Sequence, residues 1–141
     1  MPLLTIVVPA YNAAEYLHRA LSALGRTSSD VEVVVVDDGS TDETGPIADG
    51  YAARHPEVFR VIHQANAGHG GAINAGIAAA TGQYLKVLDA DDWLNVEVLD
   101  RVVRTLALLE AEGGVDAFFT DYVHDRLVGL SAWAGVRLGR E

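Results

Sequence analysis

The chain contains no cysteine, which removes disulfide staples, thiol nucleophiles and cysteine-ligated zinc or iron-sulfur sites and weakly favours a reducing compartment. It has no apolar run approaching the roughly 18 to 20 residues that span a bilayer, and no basic segment followed by a signal-like apolar stretch at its start. Membrane spanning and secretion are therefore unsupported, and the expected location is cytoplasmic or peripheral at the inner face of the membrane. Positive charge is also scarce: 10 Lys plus Arg face 20 Asp plus Glu, a formal net charge of -10. That balance argues against nucleic acid as a partner but permits an anionic substrate held through backbone donors or a bridging cation. What the chain has is apolar bulk, half of its 141 residues, enough for one domain with a real core.

Short β-branched runs alternate with longer alanine-rich stretches, the pattern of an α/β layer fold. The run over 3 to 8 or 9 predicts a first strand, and Leu17, Ala20, Leu21 and Leu24 predict a helix over about 15–24. Residues 31–36 are too apolar for a strand with one wet face, so this strand is expected to be central and parallel. Ser40 or Thr41 is the expected cap of a second helix running to about Arg54, with Ile47 and Tyr51 on its inner face. A strand over 58–62, a glycine-rich turn over 66–71 leading into a helix that ends near 81–82, a strand over 84–88 and a helix over 96–109 follow. A fifth strand is expected over 116–120, and beyond Asp121 the periodicity fades.

In open parallel sheets ligands bind beyond the carboxyl ends of the strands. Three polar punctuations fall at such ends: Tyr11-Asn12, Asp37-Asp38-Gly39-Ser40 and Asp89-Ala90-Asp91-Asp92. Each alone is compatible with ordinary turns and caps; their combination is harder to explain that way. Asp89 and Asp91, one residue apart after an apolar strand, suit a hard cation such as Mg2+ or Mn2+ that bridges to diphosphate oxygens, with Ala90 pointing the opposite way. The plainer alternative is that Asp91 or Asp92 caps the helix beginning near Asn95. Asp37 or Asp38 can accept from a base N–H or a ribose hydroxyl, or form an Asx turn with a helix cap at Ser40 and Thr41. Tyr11 can stack on a base and Asn12 can orient its loop. The glycines at 68, 70 and 71 match neither a dinucleotide fingerprint nor a Walker motif. His69 is near enough to Asn66 and Asn74 to join a polar site, although a lone histidine is more often a surface residue; His18, His55, His63 and His124 show no metal-ligand spacing, and Lys86 reads as an edge or snorkelling lysine, with phosphate contact the alternative.

Taken together, Pro9-Ala10-Tyr11-Asn12, Val36-Asp37-Asp38-Gly39-Ser40-Thr41-Asp42, Asn66-Ala67-Gly68 and Ala72-Ile73-Asn74-Ala75-Gly76 leading to Leu88-Asp89-Ala90-Asp91-Asp92 resemble family 2 glycosyltransferases of the GT-A fold in order and spacing. The resemblance implies a three-layer α/β/α sandwich with a mostly parallel sheet. It also implies transfer of a sugar from a nucleotide diphosphate sugar, a UDP-sugar favoured, to a carbohydrate or lipid-linked acceptor hydroxyl. By the same resemblance Pro9, Ala10, Tyr11 and one of Asp37 or Asp38 surround the nucleobase and Asp89 approaches the ribose or donor sugar. Asn12, Gly71, Asn74 and Ala90 belong to the donor-binding set, and Asp91, with Asp89, holds Mg2+ or Mn2+. Ile73 stands where many relatives carry Arg.

The chain is shorter than members of that family, so the expectation is a donor-binding core over 1–125 and an irregular, incomplete acceptor-side segment over 126–141. No general base is assigned; Asp121 or Asp125 is weakly motivated for that role. Self-association into a homo-oligomer is compatible with the sequence. Two other classes remain open at this point: a noncatalytic nucleotide-sugar binding module, and a phosphatase or receiver-like α/β domain using an acidic pair.

Overall fold

The two most apolar runs form the two inner strands. In the computed structural model, which describes residues 1–118 and 120, β1 (Leu4–Ala10) and β2 (Val31–Asp37) are buried along their whole length. Burial on both faces explains why their valines show no polar alternation. β3 (Phe59–His63) pairs with β2, and β4 (Tyr84–Val87) pairs with β1. The sheet is parallel throughout, in the order β3-β2-β1-β4. The expected central, parallel placement of the valine strand is what the sheet shows.

The pleat divides the core. Ile6, Val8, Val31, Val33 and Val35 face one side, where they meet Leu17, Leu21 and Leu24 of α1 (Ala14–Leu24), Ala48 and Tyr51 of α2 (Thr44–Arg54), and Leu99 and Val103 of α4 (Val96–Ala111). Val7, Val34 and Val36 face the other, under Ala72, Ala75 and Ala79 of α3 (Gly68–Ala79). Helices thus cover both faces of the sheet, as expected. On the α3 side the fit is close: a Cβ added at Gly76 would lie 2.2 Å from Val7 Cγ1.

The inward stripe of β2 is interrupted by one carboxylate. Glu32 accepts from Thr5 Oγ1 at 2.8 Å, Arg60 Nη1 at 3.0 Å, Thr81 N at 2.9 Å and Thr81 Oγ1 at 3.1 Å. Burial pushes its pKa up, but these hydrogen bonds, Thr81's amide first, leave it below the usual glutamate range. The network closes the end of the sheet where the strands enter.

Two expectations need correction. Of the fifth strand over 116–120, residues 116–118 and 120 lie in no strand. α4 instead ends in a glycine turn, with Gly113 and Gly114 at φ 105° and 75° and the Gly114 amide donating to Leu109 O at 2.8 Å. Apolar residues alone do not make a strand without a ladder to join. Phe119 and residues 121–141, with Asp121, Asp125 and the segment 126–141, lie outside the described residues. The second correction concerns α2, which starts at Thr44 rather than after Ser40 or Thr41. Those two side chains are used elsewhere, as described below. Residues Met1–Arg104, which include the whole sheet, form one compact unit, and a second begins at Thr105. No helix among the described residues is long and apolar enough to cross a membrane.

Candidate functional site

The sheet reverses direction beside β1. From β1 the chain adds β2 and then β3 on one side, and β4 on the other. The carboxyl ends of β1 and β4 therefore flank a topological switch point, where open α/β sheets leave a crevice. A cleft of about 170 Å³ lies next to it, at the carboxyl ends of β1 and β2 beside the start of α3, lined by Pro9, Ala10, Tyr11, Asp38, Asn66, Gly68, His69 and Ala72. It is smaller than the ~300–1,000 Å³ of enclosed ligand sites, and so is sized for part of a ligand.

Its β1 wall is built by two interlocked loops. Asn12 sits in the left-handed region at φ 47°, a conformation asparagine tolerates. Its side-chain oxygen accepts from Thr41 N at 2.8 Å and Thr41 Oγ1 at 3.3 Å, while its amide donates to Ser40 Oγ at 3.0 Å. The α1 N-terminus has no capping side chain of its own. Instead Ala13 N donates to Thr44 Oγ1 at 2.8 Å and Ala14 N to Asp42 Oδ2 at 3.2 Å. Asp42 also accepts from Thr44 N at 2.9 Å, and Asp38 N donates to Ala10 O at 2.9 Å. The polar run after β2 is thus spent mainly on the loop after β1, with Tyr11 displayed at its tip, 53% exposed.

The paired aspartates separate. Asp37, 7% exposed, turns away from the cleft: Oδ1 accepts from Ser40 N at 3.1 Å and Oδ2 lies 2.9 Å from His63 Nδ1. Burial raises its pKa, but hydrogen bonds from Ser40 and His63 more than offset that and hold it below the ordinary aspartate value. Asp38, 2% exposed, lines the cleft, and its Oδ1 accepts from Gln64 Nε2 at 2.7 Å and Ala67 N at 2.8 Å. These donors, Gln64 first, lower its pKa and keep it ionised at neutral pH. Gly39 makes the crossing possible, at φ 75° and with a Cβ position only 2.8 Å from Asn66 N.

On the β4 side, the turn closed by Asp92 N to Asp89 O at 2.9 Å gathers three exposed carboxylates. Asp89, Asp91 and Asp92 each offer an oxygen, all within 4.8 Å of one another. Ala90 points into the core between them. Neither Asp91 nor Asp92 caps α4; Asn95 does, accepting from Val98 N at 3.2 Å. Hard carboxylate oxygens so grouped fit Mg2+ or Mn2+. His69 Nε2 lies 3.6 Å from Asp89 Oδ1, so this histidine, exposed as it is, joins cleft and carboxylates, the polar-site alternative to a plain surface position. Gly71 and Asn74 flank the cleft-lining Ala72 on α3, and the Asn74 side chain is exposed. Asn66, Gly68, His69 and Ala72 are additions to the donor set; Asn66 and Gly68 were signalled by the Asn66-Ala67-Gly68 element, Ala72 by the Ala72-Ile73-Asn74-Ala75-Gly76 element, and His69 by its nearness to Asn66 and Asn74.

The sequence pattern of Glycosyl transferase family 2 matches residues 5–132. An uncharacterized glycosyltransferase of Nostoc sp. (strain PCC 7120) is 36% identical over 139 residues, covering 98% of this chain and 43% of that protein. Chondroitin synthase of Escherichia coli is 43% identical over 101 residues, 71% of this chain and 15% of the synthase. Among solved structures, S. aureus TarS 1-349 in complex with UDP-GlcNAc superposes with a TM-score of 0.68 at 29% identity, over 77% of this chain and 32% of that one. The mannosyltransferase PcManGT from Pyrobaculum calidifontis, in complex with GDP-Man and Mn2+, gives 0.66 at 31% identity, over 75% and 32%. The chain spans less than half the length of these relatives.

Proposed function

The chain belongs to glycosyl transferase family 2, and on that premise we propose that it binds a nucleotide diphosphate sugar in the cleft at the carboxyl ends of β1 and β2, beside the carboxylates that follow β4, for transfer of the sugar to a carbohydrate or lipid-linked acceptor hydroxyl. The observation that carries this reading is the meeting of three segments distant in sequence, residues 9–11, Asp38 and residues within 66–72, in one cleft beside a cluster of carboxylates. The strand order also separates the chain from receiver domains, which use 2-1-3-4-5.

In this reading Tyr11 supplies a stacking face and Pro9 and Ala10 an apolar floor for the base. Asp38, rather than Asp37, accepts from a base N–H or ribose hydroxyl, and Gln64 and Ala67 keep it aimed and ionised. Asn12 holds the loop, Gly71 and Asn74 present α3 to the donor, and Asp89 faces the ribose or donor sugar. Asp91 and Asp89 would hold Mg2+ or Mn2+, a Lewis acid offsetting charge on the diphosphate leaving group. Residues 1–125 serve as the donor-binding core and 126–141 belong to the acceptor side. UDP-GlcNAc in the TarS complex and GDP-Man with Mn2+ in the PcManGT complex support a metal-assisted nucleotide sugar donor.

The test is titration of UDP- and GDP-linked sugars with and without Mn2+, comparing the native chain with Asp91→Ala. We expect Mn2+-dependent binding that weakens at least about tenfold, about 1.4 kcal/mol, in the variant. Equal binding by both proteins without metal would overturn the site. Binding without sugar release to any acceptor would identify the chain as a donor-binding module.

A further inference from the structure

We infer that His63 is a positioning residue of the donor cleft: as a double donor between Asp37 and Asp49 it holds the loop that anchors Tyr11, so that nucleotide binding is coupled to its protonation. The inference rests on the donor-site reading above but on different residues. His63 closes β3 directly opposite Asp37 of β2. Its Nδ1 lies 2.9 Å from Asp37 Oδ2 and its Nε2 2.9 Å from Asp49 Oδ1 of α2. An ionised carboxylate only accepts, and neutral imidazole has a single N–H. Both contacts are hydrogen bonds only when the ring is the imidazolium.

The surroundings agree. From β2 the ring is faced by Asp37, and from α2 by Asp49 and by Gly45, where a Cβ would stand 2.8 Å from Asp37 Oδ2 and 3.4 Å from the ring. Among the described residues the charges acting on it are these two carboxylates. Asp37 first and Asp49 next raise its pKa above the ordinary 6.5, against a smaller opposing effect of burial.

Two short routes lead from this ring to the cleft. In the first, Asp37 Oδ1 accepts from Ser40 N at 3.1 Å, and Ser40 Oγ accepts from the amide of Asn12, the neighbour of Tyr11. The second runs through the next residue, Gln64, whose amide donates to Asp37 O at 3.0 Å and whose side chain donates to Asp38 Oδ1 at 2.7 Å. Loss of the ring proton turns a lone pair toward one carboxylate and loosens both routes. The expected result is UDP affinity that falls about fivefold as pH rises through the His63 transition, with proton uptake on binding at intermediate pH, as reciprocal linkage requires.

The experiment is calorimetric titration of the full chain with UDP and Mn2+ from about pH 5.5 to about pH 8.5, across the histidine range, in buffers of different ionisation heat. It is run on the native protein, His63→Gln and Asp49→Asn, with the apo amide shifts of Asn12 and Ser40 followed by NMR. UDP has its own ionisation, which His63→Gln shares and so cancels. We expect the native pH dependence to exceed that of His63→Gln. In Asp49→Asn, which keeps the ring and its Asp37 contact, the midpoint should move to lower pH. The same midpoints should appear in the Asn12 and Ser40 amides. UDP binding with identical pH dependence in native protein and His63→Gln would overturn the coupling and leave the donor site standing. Amides that follow the ring in a chain that binds no UDP would support the loop-holding role and overturn the donor site. If His63→Gln does not fold, an unshifted midpoint in Asp49→Asn overturns the coupling.

Discussion

Thr44 and Tyr11 stand at opposite ends of the same device. Thr44 is fully buried, and its hydroxyl oxygen is the acceptor for the Ala13 amide. Thr44→Val keeps the shape and removes the acceptor, stranding a buried N–H. The expected loss is about 1–3 kcal/mol, read as a lower urea midpoint at unchanged slope, with Thr44→Ser retaining most of the stability. Tyr11 is more than half exposed and contributes little to the core. Tyr11→Ala should leave stability within about 0.5 kcal/mol while weakening nucleotide binding by about 1–3 kcal/mol, the range for stacking one base on an aromatic ring; calorimetric titration with UDP and thermal melts separate the two effects. A residue whose loss lowers stability and a residue whose loss lowers affinity thus belong to one pair of interlocked loops, joined where Ala13, two positions after Tyr11, donates to Thr44.

At the scale of elements, two glycines give opposite expectations. Gly76 of α3 rests on Val7, so Gly76→Ala should cost about 1–3 kcal/mol by overpacking. Gly50 of α2 has open space around its Cβ position, and Gly50→Ala should stabilise by about 0.5–1 kcal/mol through helix propensity. Denaturant unfolding of the two variants checks both signs. The four strands and four helices of the described residues were legible from apolar runs and helical spacing. The valine strand, apolar but for Glu32 up to its last residue, already read as lying between two others; the run over 116–120 looked the same and made no strand among its described residues. The start of α2 was not legible: Ser40 and Thr41 have the chemistry of a helix cap, but their partner is Asn12, nearly thirty positions earlier. The division of labour between Asp37 and Asp38 was equally hidden, since His63 and Gln64 become their partners only through β2–β3 register. Glu32 went unnoticed because Thr81, which supplies two of its donors, is 49 positions away. Local motifs announced the site; long-range partners decided which atoms face it.

For the molecule as a whole, the charged groups set a window of stability. Asp37 and Glu32 have lowered pKa values, so their contributions are present above the ordinary values of 3.8 and 4.5 and fade as pH falls through the folded-state values. His63 has a raised pKa, so its contribution is complete below 6.5 and is lost as pH rises through its folded-state value. These three groups together favour the interval between about 4.5 and 6.5. Differential scanning calorimetry should show a melting temperature that declines on both sides, with His63→Gln removing part of the alkaline decline. The interlock between the loops after β1 and β2 has a further consequence for redesign. Because Asn12, Ala13 and Ala14 draw their hydrogen-bond partners from Ser40, Thr41, Asp42 and Thr44, neither loop is a transferable module. A graft meant to change donor preference must carry both segments together, since either one transplanted alone arrives with its complement left behind.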